Sequence, residues 1–238
     1  MAEHPPRILV LAAHPRLAQS RVSRALMAAA QAVADAGGEV AVRDLYALYP
    51  DYLIDVAAER QALAGVQLQV WLHPVQWYGM PPLMKLWLDE VYGFGWAYGP
   101  GGQALQGQSL WLATSTGGSA DSYHPQGHNR YFFDAFLPPY EQTAALAGMR
   151  FLPPLVLHGA HHASAQALDE HAQVFAQRLQ QWPNWPELDE LPPCLACVVP
   201  SGDRPNTDTD TDTDANTATN TRISSPTDAL PAAAGAAA

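Results

Sequence analysis

A doubly wound α/β domain, built on a parallel sheet with helices on both faces, is the fold class this 238-residue sequence predicts. Three observations lead there. Five short runs rich in Val, Ile and Leu recur along the chain, with helical spacing between them. The first run, Arg7–Ala12 (RILVLA), is apolar at odd and even positions alike, the mark of a strand covered on both faces. The segments rich in Gly, Pro, hydroxyls and aromatics follow strand ends, at 13–20, 73–82 and 115–128, where open α/β sheets bind ligands.

Each element has its own warrant. After the first strand, Ser20 stands as N-cap to a helix over Arg21–Asp35, with Val22, Leu26, Ala29, Ala30 and Val33 at helical spacing and Gly37-Gly38 as the stop. Glu39–Arg43 is the second strand. Asp55 caps a helix running to Leu63. Leu68–His73 (LQVWLH) is the third strand, and Leu83–Tyr92 has the spacing of the next helix. Gly93–Gly107 is an excursion rich in Gly and aromatics, long enough to suggest a functional loop. Ser109–Thr114 is the fourth strand. Tyr131–Phe136 and Gln142–Ala147 read as helical, broken at Pro138-Pro139. Phe151–Leu157 is the fifth strand, and Ser164 caps a closing helix that ends at Gln181. Residues 183–200 form a Pro-rich linker. The low-complexity stretch 201–238, with TDTDTDTD and NTATNT, lacks the apolar residues to order itself and is expected to be disordered.

Charge narrows the function classes. The chain carries 12 Lys+Arg against 23 Asp+Glu, for a net −11. Six of those acids and two of the bases lie beyond residue 200, so the body still holds 17 acids and 10 bases. Nucleic-acid affinity comes largely from cationic side chains on phosphates, and a body at −7 does not supply them. A single lysine, Lys85, leaves no polybasic face for anionic lipid. No run approaches the ~18 apolar residues of a membrane span, and the first residues do not have the form of a signal peptide. The expected location is the cytoplasm. The Cys194–Cys197 pair has C-x-x-C spacing but sits between prolines, without the strand and helix of a redox site or two further ligands for zinc. His158, His161, His162 and His171 read as a histidine-rich strand end and helix start, not a metal set.

Three segments carry candidate chemistry. The turn at 13–24 has no G-x-G-x-x-G, which argues against a dinucleotide pyrophosphate there. It offers His14, Ser20 and Ser23 with Arg16, Arg21 and Arg24, at a helix N-terminus whose free N–H groups favour an anion. Hydroxyls and guanidiniums together suit a terminal phosphate. The same pattern also fits an ordinary helix cap with solvated arginines. At 73–82 (HPVQWYGMPP), Trp77 and Tyr78 precede Gly-Met-Pro-Pro and so lie outside any helix or central strand. They suit either a flat ring or a hydrophobic plug on the sheet edge. Ser115-Thr116-Gly117-Gly118 allows close backbone approach and adds hydroxyl donors. Taken together, three crevice-end segments suited to one planar phosphorylated ligand point to flavin mononucleotide.

At these segments the chain resembles the flavodoxin-like NAD(P)H:quinone reductases, most closely the ancillary proteins of bacterial Kef glutathione-gated potassium-efflux systems. The stretches that carry the resemblance are LYALYPDYLIDVAAERQAL at 45–63, HPVQWYGMPPLMKLWLDEV at 73–91 and GWAYGPGGQALQG at 95–107. It spans about residues 7–182. It implies a flavodoxin-like five-stranded parallel sheet, FMN, NADH or NADPH as reductant, a quinone substrate and a homodimer. It also implies docking of a cytoplasmic enzyme on a membrane potassium/proton antiporter. Carried onto this sequence, the cofactor loop after the first strand matches His14, Ser20, Arg21, Val22 and Ser23. The aromatic loop matches Val75, Gln76, Trp77 and Tyr78, and the Gly loop matches Ser115, Thr116, Gly117 and Gly118. The tyrosine and histidine that assist reduction match Tyr123 and His128, with His124 as the alternative histidine. Two other functions keep the same fold: an FMN-containing regulatory subunit without turnover, and a one-electron carrier. The apolar stretch from Met80 to Tyr98 is expected to face a partner subunit.

Overall fold

Burial of the first strand on both faces sets the architecture. In the computed structural model, which describes residues 7–189, β1 (Ile8–Ala12) is buried at every position. Leu9 and Leu11 join one core, while Ile8, Val10 and Ala12 join another on the opposite side. A strand whose two parities feed two cores must lie inside a sheet covered on both faces. The sheet holds β2 (Val40–Asp44), β1, β3 (Leu68–Pro74), β4 (Ser109–Ser115) and β5 (Arg150–Leu157) in that spatial order, with every pairing parallel. The flavodoxin-like doubly wound sheet expected from the sequence is therefore the one observed.

One face is covered by α1 (Val22–Asp35) and α6 (Ala165–Gln181), which bring Leu26, Ala30 and Phe175 against Val70 and Trp111. The other face takes α4 (Pro82–Val91) and α5 (Pro138–Leu146), with Trp87, Leu83 and Tyr140 against Trp71 and Leu112. Between β2 and β3 lie α2 (Leu45–Leu48) and α3 (Val56–Leu63). The three expected caps are present. Ser20 Oγ accepts from the Ser23 N–H at 3.1 Å, Asp55 from Ala58 at 2.9 Å and Ser164 from Ala167 at 3.0 Å.

Three details differ from the sequence expectation. The one-turn α2, capped by Asp44 on the Tyr46 and Ala47 N–H groups, is too short to leave a periodic signal. Pro138-Pro139 does not break a helix but opens α5, because a proline in the first turn forfeits only an N–H that has no intrahelical partner. Residues 93–107 are not an open loop: Ala97 and Leu105 are fully buried and the Arg60 guanidinium lies 4.7 Å over the Trp96 ring. Within the apolar stretch 80–98, Leu83, Met84, Trp87, Leu88, Val91 and Tyr92 likewise serve the chain's own core. The Pro-rich linker beyond residue 189, the Cys194–Cys197 pair and the Thr/Asp-rich tail lie outside the described residues. No helix of the described residues is long and apolar enough to cross a membrane.

Candidate functional site

The turn from β1 into α1 supplies an anion-binding corner. His14 Nδ1 accepts from the Arg16 backbone N–H at 3.0 Å, so the neutral ring carries its proton on Nε2 and presents a donor. Burial lowers the His14 pKa and Arg16 lowers it further, against a smaller opposing pull from Asp44; the ring is therefore neutral at pH 7. Because the Ser20 hydroxyl takes the Ser23 N–H, the helix start is held in place with Arg16 and Arg21 beside it.

The end of β3 forms the second wall. The Val75 N–H donates to the Ser115 carbonyl at 2.8 Å, tying this loop to β4. Gln76 and Gly79 then exchange backbone hydrogen bonds at 2.9 and 3.0 Å around Trp77 and Tyr78, whose φ values are +48° and +65°. Two consecutive aromatic residues in left-handed backbone are strained, since each Cβ crowds a carbonyl by roughly 1–2 kcal/mol. Trp77 gains nothing from packing in return, for its side chain is 96% exposed. Tyr78 stacks on Phe136 with centroids 5.1 Å apart.

The end of β4 forms the floor. Thr116 is tied to the chain after β5 by its N–H to Leu157 O (3.0 Å) and its carbonyl to Ala160 N–H (2.9 Å). A side chain at Gly117 would come against the His161 ring, at 3.4 Å. At Gly118 it would come within 2.5 Å of Ser122 Oγ, so a larger residue there would have to displace that hydroxyl.

These three walls enclose a cleft of about 430 Å³ at the carboxyl ends of β1, β3 and β4. That lies within the ~300–1,000 Å³ of small-molecule sites, at the point where strand order reverses between β1 and β3. From the first wall it is lined by His14, Ser20, Arg21 and Val22, from the second by Val75 and Gln76, and from the floor by Ser115, Thr116 and Gly117. Ser23, Trp77, Tyr78 and Gly118 do not line it. A smaller hollow of about 240 Å³, near Arg7, Val33, Glu39 and Trp182, lies at the opposite strand ends, away from these groups.

Gln19, Pro74 and Ala160, not named as candidates from the sequence, also line the cleft, as does His161, which was set aside with the histidine run. His161 follows β5, so the rule that strand ends bear the ligand would have found it had the histidine run not been set aside as a strand end. Tyr123 is buried, 8% exposed, against Phe133, Phe136 and His158. Burial raises its pKa; the Thr116 hydroxyl works against the rise and Tyr78 adds to it. Neither Tyr123 nor the exposed His128 lines the cleft itself, and His124 packs edge-on to Phe132 at 5.1 Å. The structure therefore brings His158, not His128 or His124, against Tyr123.

The geometry has counterparts among known proteins. A structure described as a thermophilic tryptophan halogenase from Streptomycin violaceusniger is 39% identical, with a TM-score of 0.67 over 72% of this chain and 97% of that one. General stress protein 14 from Treponema denticola, solved in complex with FMN, is 36% identical, with a TM-score of 0.69 over 74% and 98%. A candidate quinone reductase from Klebsiella pneumoniae is 26% identical, with a TM-score of 0.63 over 74% and 85%. Their names describe different chemistries on one scaffold, so the likeness by itself does not choose a reaction. The model of the flavodoxin-like fold family matches residues 6–179, which include the whole sheet and all three walls of the cleft, and the chain belongs to that family.

Proposed function

We propose that the chain is an FMN-dependent oxidoreductase that uses NAD(P)H to reduce quinones by two electrons. The observation that carries this reading is the cleft at the β1/β3 reversal, lined by a helix N-terminus with Ser20, Arg16 and Arg21 and by Gln76 and Gly117. The donor set fits FMN: hydroxyl, guanidinium and helix N–H groups suit a single terminal phosphate, and nothing in the turn provides the glycine fingerprint of a dinucleotide. The FMN complex of general stress protein 14 supports the cofactor, and the Klebsiella neighbour's name supports the substrate class.

When bound, FMN would supply the redox chemistry, accepting a hydride equivalent from NAD(P)H and returning two electrons to a quinone. The chain's residues bind, orient and protonate. His14 offers its Nε2–H and Ser20 fixes the helix start at the phosphate end. Gln76 and Gly117 would lie at the ring end, with Trp77 and Tyr78 on the adjoining turn. Tyr123 holds a phenol whose proton stays on at neutral pH, suited to donate toward a quinone oxygen as negative charge builds there.

In the same reading the chain is a homodimer and an ancillary activator of a Kef-type potassium/proton antiporter. Exposed Leu48, Tyr52, Leu53 and Phe94, on or beside the segments that carry the Kef resemblance, support a protein contact there. Sedimentation equilibrium at micromolar concentration tests the dimer, and a monomer refutes it. Potassium efflux from vesicles holding the antiporter, with and without the chain, tests activation.

Heat-released flavin identified by mass spectrometry, together with steady-state NAD(P)H oxidation with a benzoquinone, tests the enzyme reading. FMN and quinone-dependent turnover are expected. FMN without turnover would leave a regulatory subunit. Abundant blue radical in a dithionite titration would indicate a one-electron carrier.

A further inference from the structure

The Thr116 hydroxyl has one proton and more than one polar neighbour. Its Oγ1 donates to the Gly118 carbonyl at 2.8 Å and lies 2.9 Å from His158 Nδ1. With no proton between them Oγ1 and the Gly118 oxygen would repel at 2.8 Å, so the arrangement that satisfies both contacts turns the hydroxyl proton toward Gly118. His158 Nδ1 must then carry the ring proton and donate to Oγ1. The ring is fixed in this pose from outside. Tyr123 lies tilted at 5.4 Å between centroids, Phe133 stands edge-on at 5.2 Å, and the Gly159 N–H donates to Gly118 O at 2.8 Å. Thr116 thus links two environments: its residue lines the cleft, and its hydroxyl meets the imidazole that packs on Tyr123.

We infer that His158 is a positioning residue of this site: as its Nδ1–H tautomer it holds the Thr116 hydroxyl where that hydroxyl can serve the Gly118 carbonyl or, by a small rotation, a Tyr123 phenolate. The catalytic consequence rests on the proposed quinone reduction. Reducing a quinone by two electrons requires one proton beyond the hydride that NAD(P)H supplies. The Tyr123 O–H bond breaks, the new O–H bond forms on the quinone oxygen, and the phenolate left behind is later reprotonated by solvent. While it persists, the Thr116 hydroxyl donates to it, and that bond is strengthened by the donation from His158 behind it. His128, exposed on its loop, is not placed to do this.

The test uses the full chain and needs no turnover. Nitrogen-15 NMR of histidine-labelled protein, with the His158 signal identified by its loss in His158→Asn, should show the Nδ1–H tautomer at neutral pH. Thr116→Ser should retain that tautomer and Thr116→Val should lose it. An Nε2–H tautomer in the wild type, or an Nδ1–H tautomer indifferent to Thr116→Val, overturns the inference. Should Thr116→Val fail to fold, phenolate absorbance, with Tyr123→Phe subtracted, gives a second readout. His158→Phe keeps the ring contacts and removes the donor. It should raise the Tyr123 pKa by a few tenths of a unit, about 10–30% of the value of a hydrogen bond to a charged group. His158→Asn should restore the wild-type value, and no shift in His158→Phe overturns the inference. Failure of the flavin reading would appear separately, as absent FMN in protein whose tautomer is unchanged.

Discussion

The carboxylate of Glu59, fully buried, meets the Arg43 guanidinium with both oxygens 3.2 Å from Nε and a closer contact from Nη2. Trp87 Nε1 donates to the same carboxylate at 3.0 Å, and the Tyr49 hydroxyl makes a short hydrogen bond to it. One side chain of α3 therefore ties together β2, the chain after α2, and α4.

Removing that carboxylate should be severe. Glu59→Ala leaves a half-buried guanidinium, a phenol and an indole N–H without their acceptor, and broken buried ion pairs of this kind cost about 3–5 kcal/mol. Urea unfolding monitored by tryptophan fluorescence measures the loss. A change of under about 1 kcal/mol would mean that water replaces the carboxylate.

Strain at the aromatic turn should trade against ligand binding. Trp77→Asn relieves a left-handed backbone that asparagine tolerates, so the ligand-free protein should gain about 0.5–1 kcal/mol. Flavin affinity should fall in the same variant, read from the quenching of free FMN. A variant that gains stability and binds FMN as well as wild type would show that the strained turn is unrelated to the site.

Ser20→Ala should lower stability by ~1 kcal/mol, the value of one helix cap. It should also weaken FMN binding about five-fold, through the loosened helix start and the lost hydroxyl. An unchanged dissociation constant would place the phosphate elsewhere.

Acid should destabilise the fold through His73. Burial depresses this ring's pKa to about 4, against a smaller opposing effect of its hydrogen bond to the Pro74 carbonyl. The unfolded state, with a pKa near 6.5, then binds more protons than the native state between about pH 6.5 and 4. Stability is therefore full above that window and is lost as pH falls through it, by on the order of 3 kcal/mol. Lowered values for His14, His158 and His171 act in the same direction. Denaturation midpoints across the window should fall less steeply in His73→Gln than in wild type.

The sheet was legible because a strand apolar at both parities, such as Ile8–Ala12, has few other places to go. The walls of the cleft were legible because capping residues, prolines and glycines act through local geometry that sequence spacing records. Long-range placement was not. Nothing local tells that the chain after β5 brings His158 onto Thr116, forty-two residues away, or that His128 stays on the surface. Nor does composition reveal that Trp87 and Tyr92 turn into the chain's own core while Phe94, in the same stretch, stays exposed.

We propose that this cleft holds FMN and passes electrons from NAD(P)H to a quinone. The most direct test is the absorbance of the purified full-length chain, made anaerobic and mixed first with NADPH or NADH and then with a benzoquinone. A flavin spectrum that bleaches on the first addition and returns in full on the second is the predicted result. A chain that takes up no FMN, or whose bound flavin is untouched by both reduced nicotinamides, would contradict it.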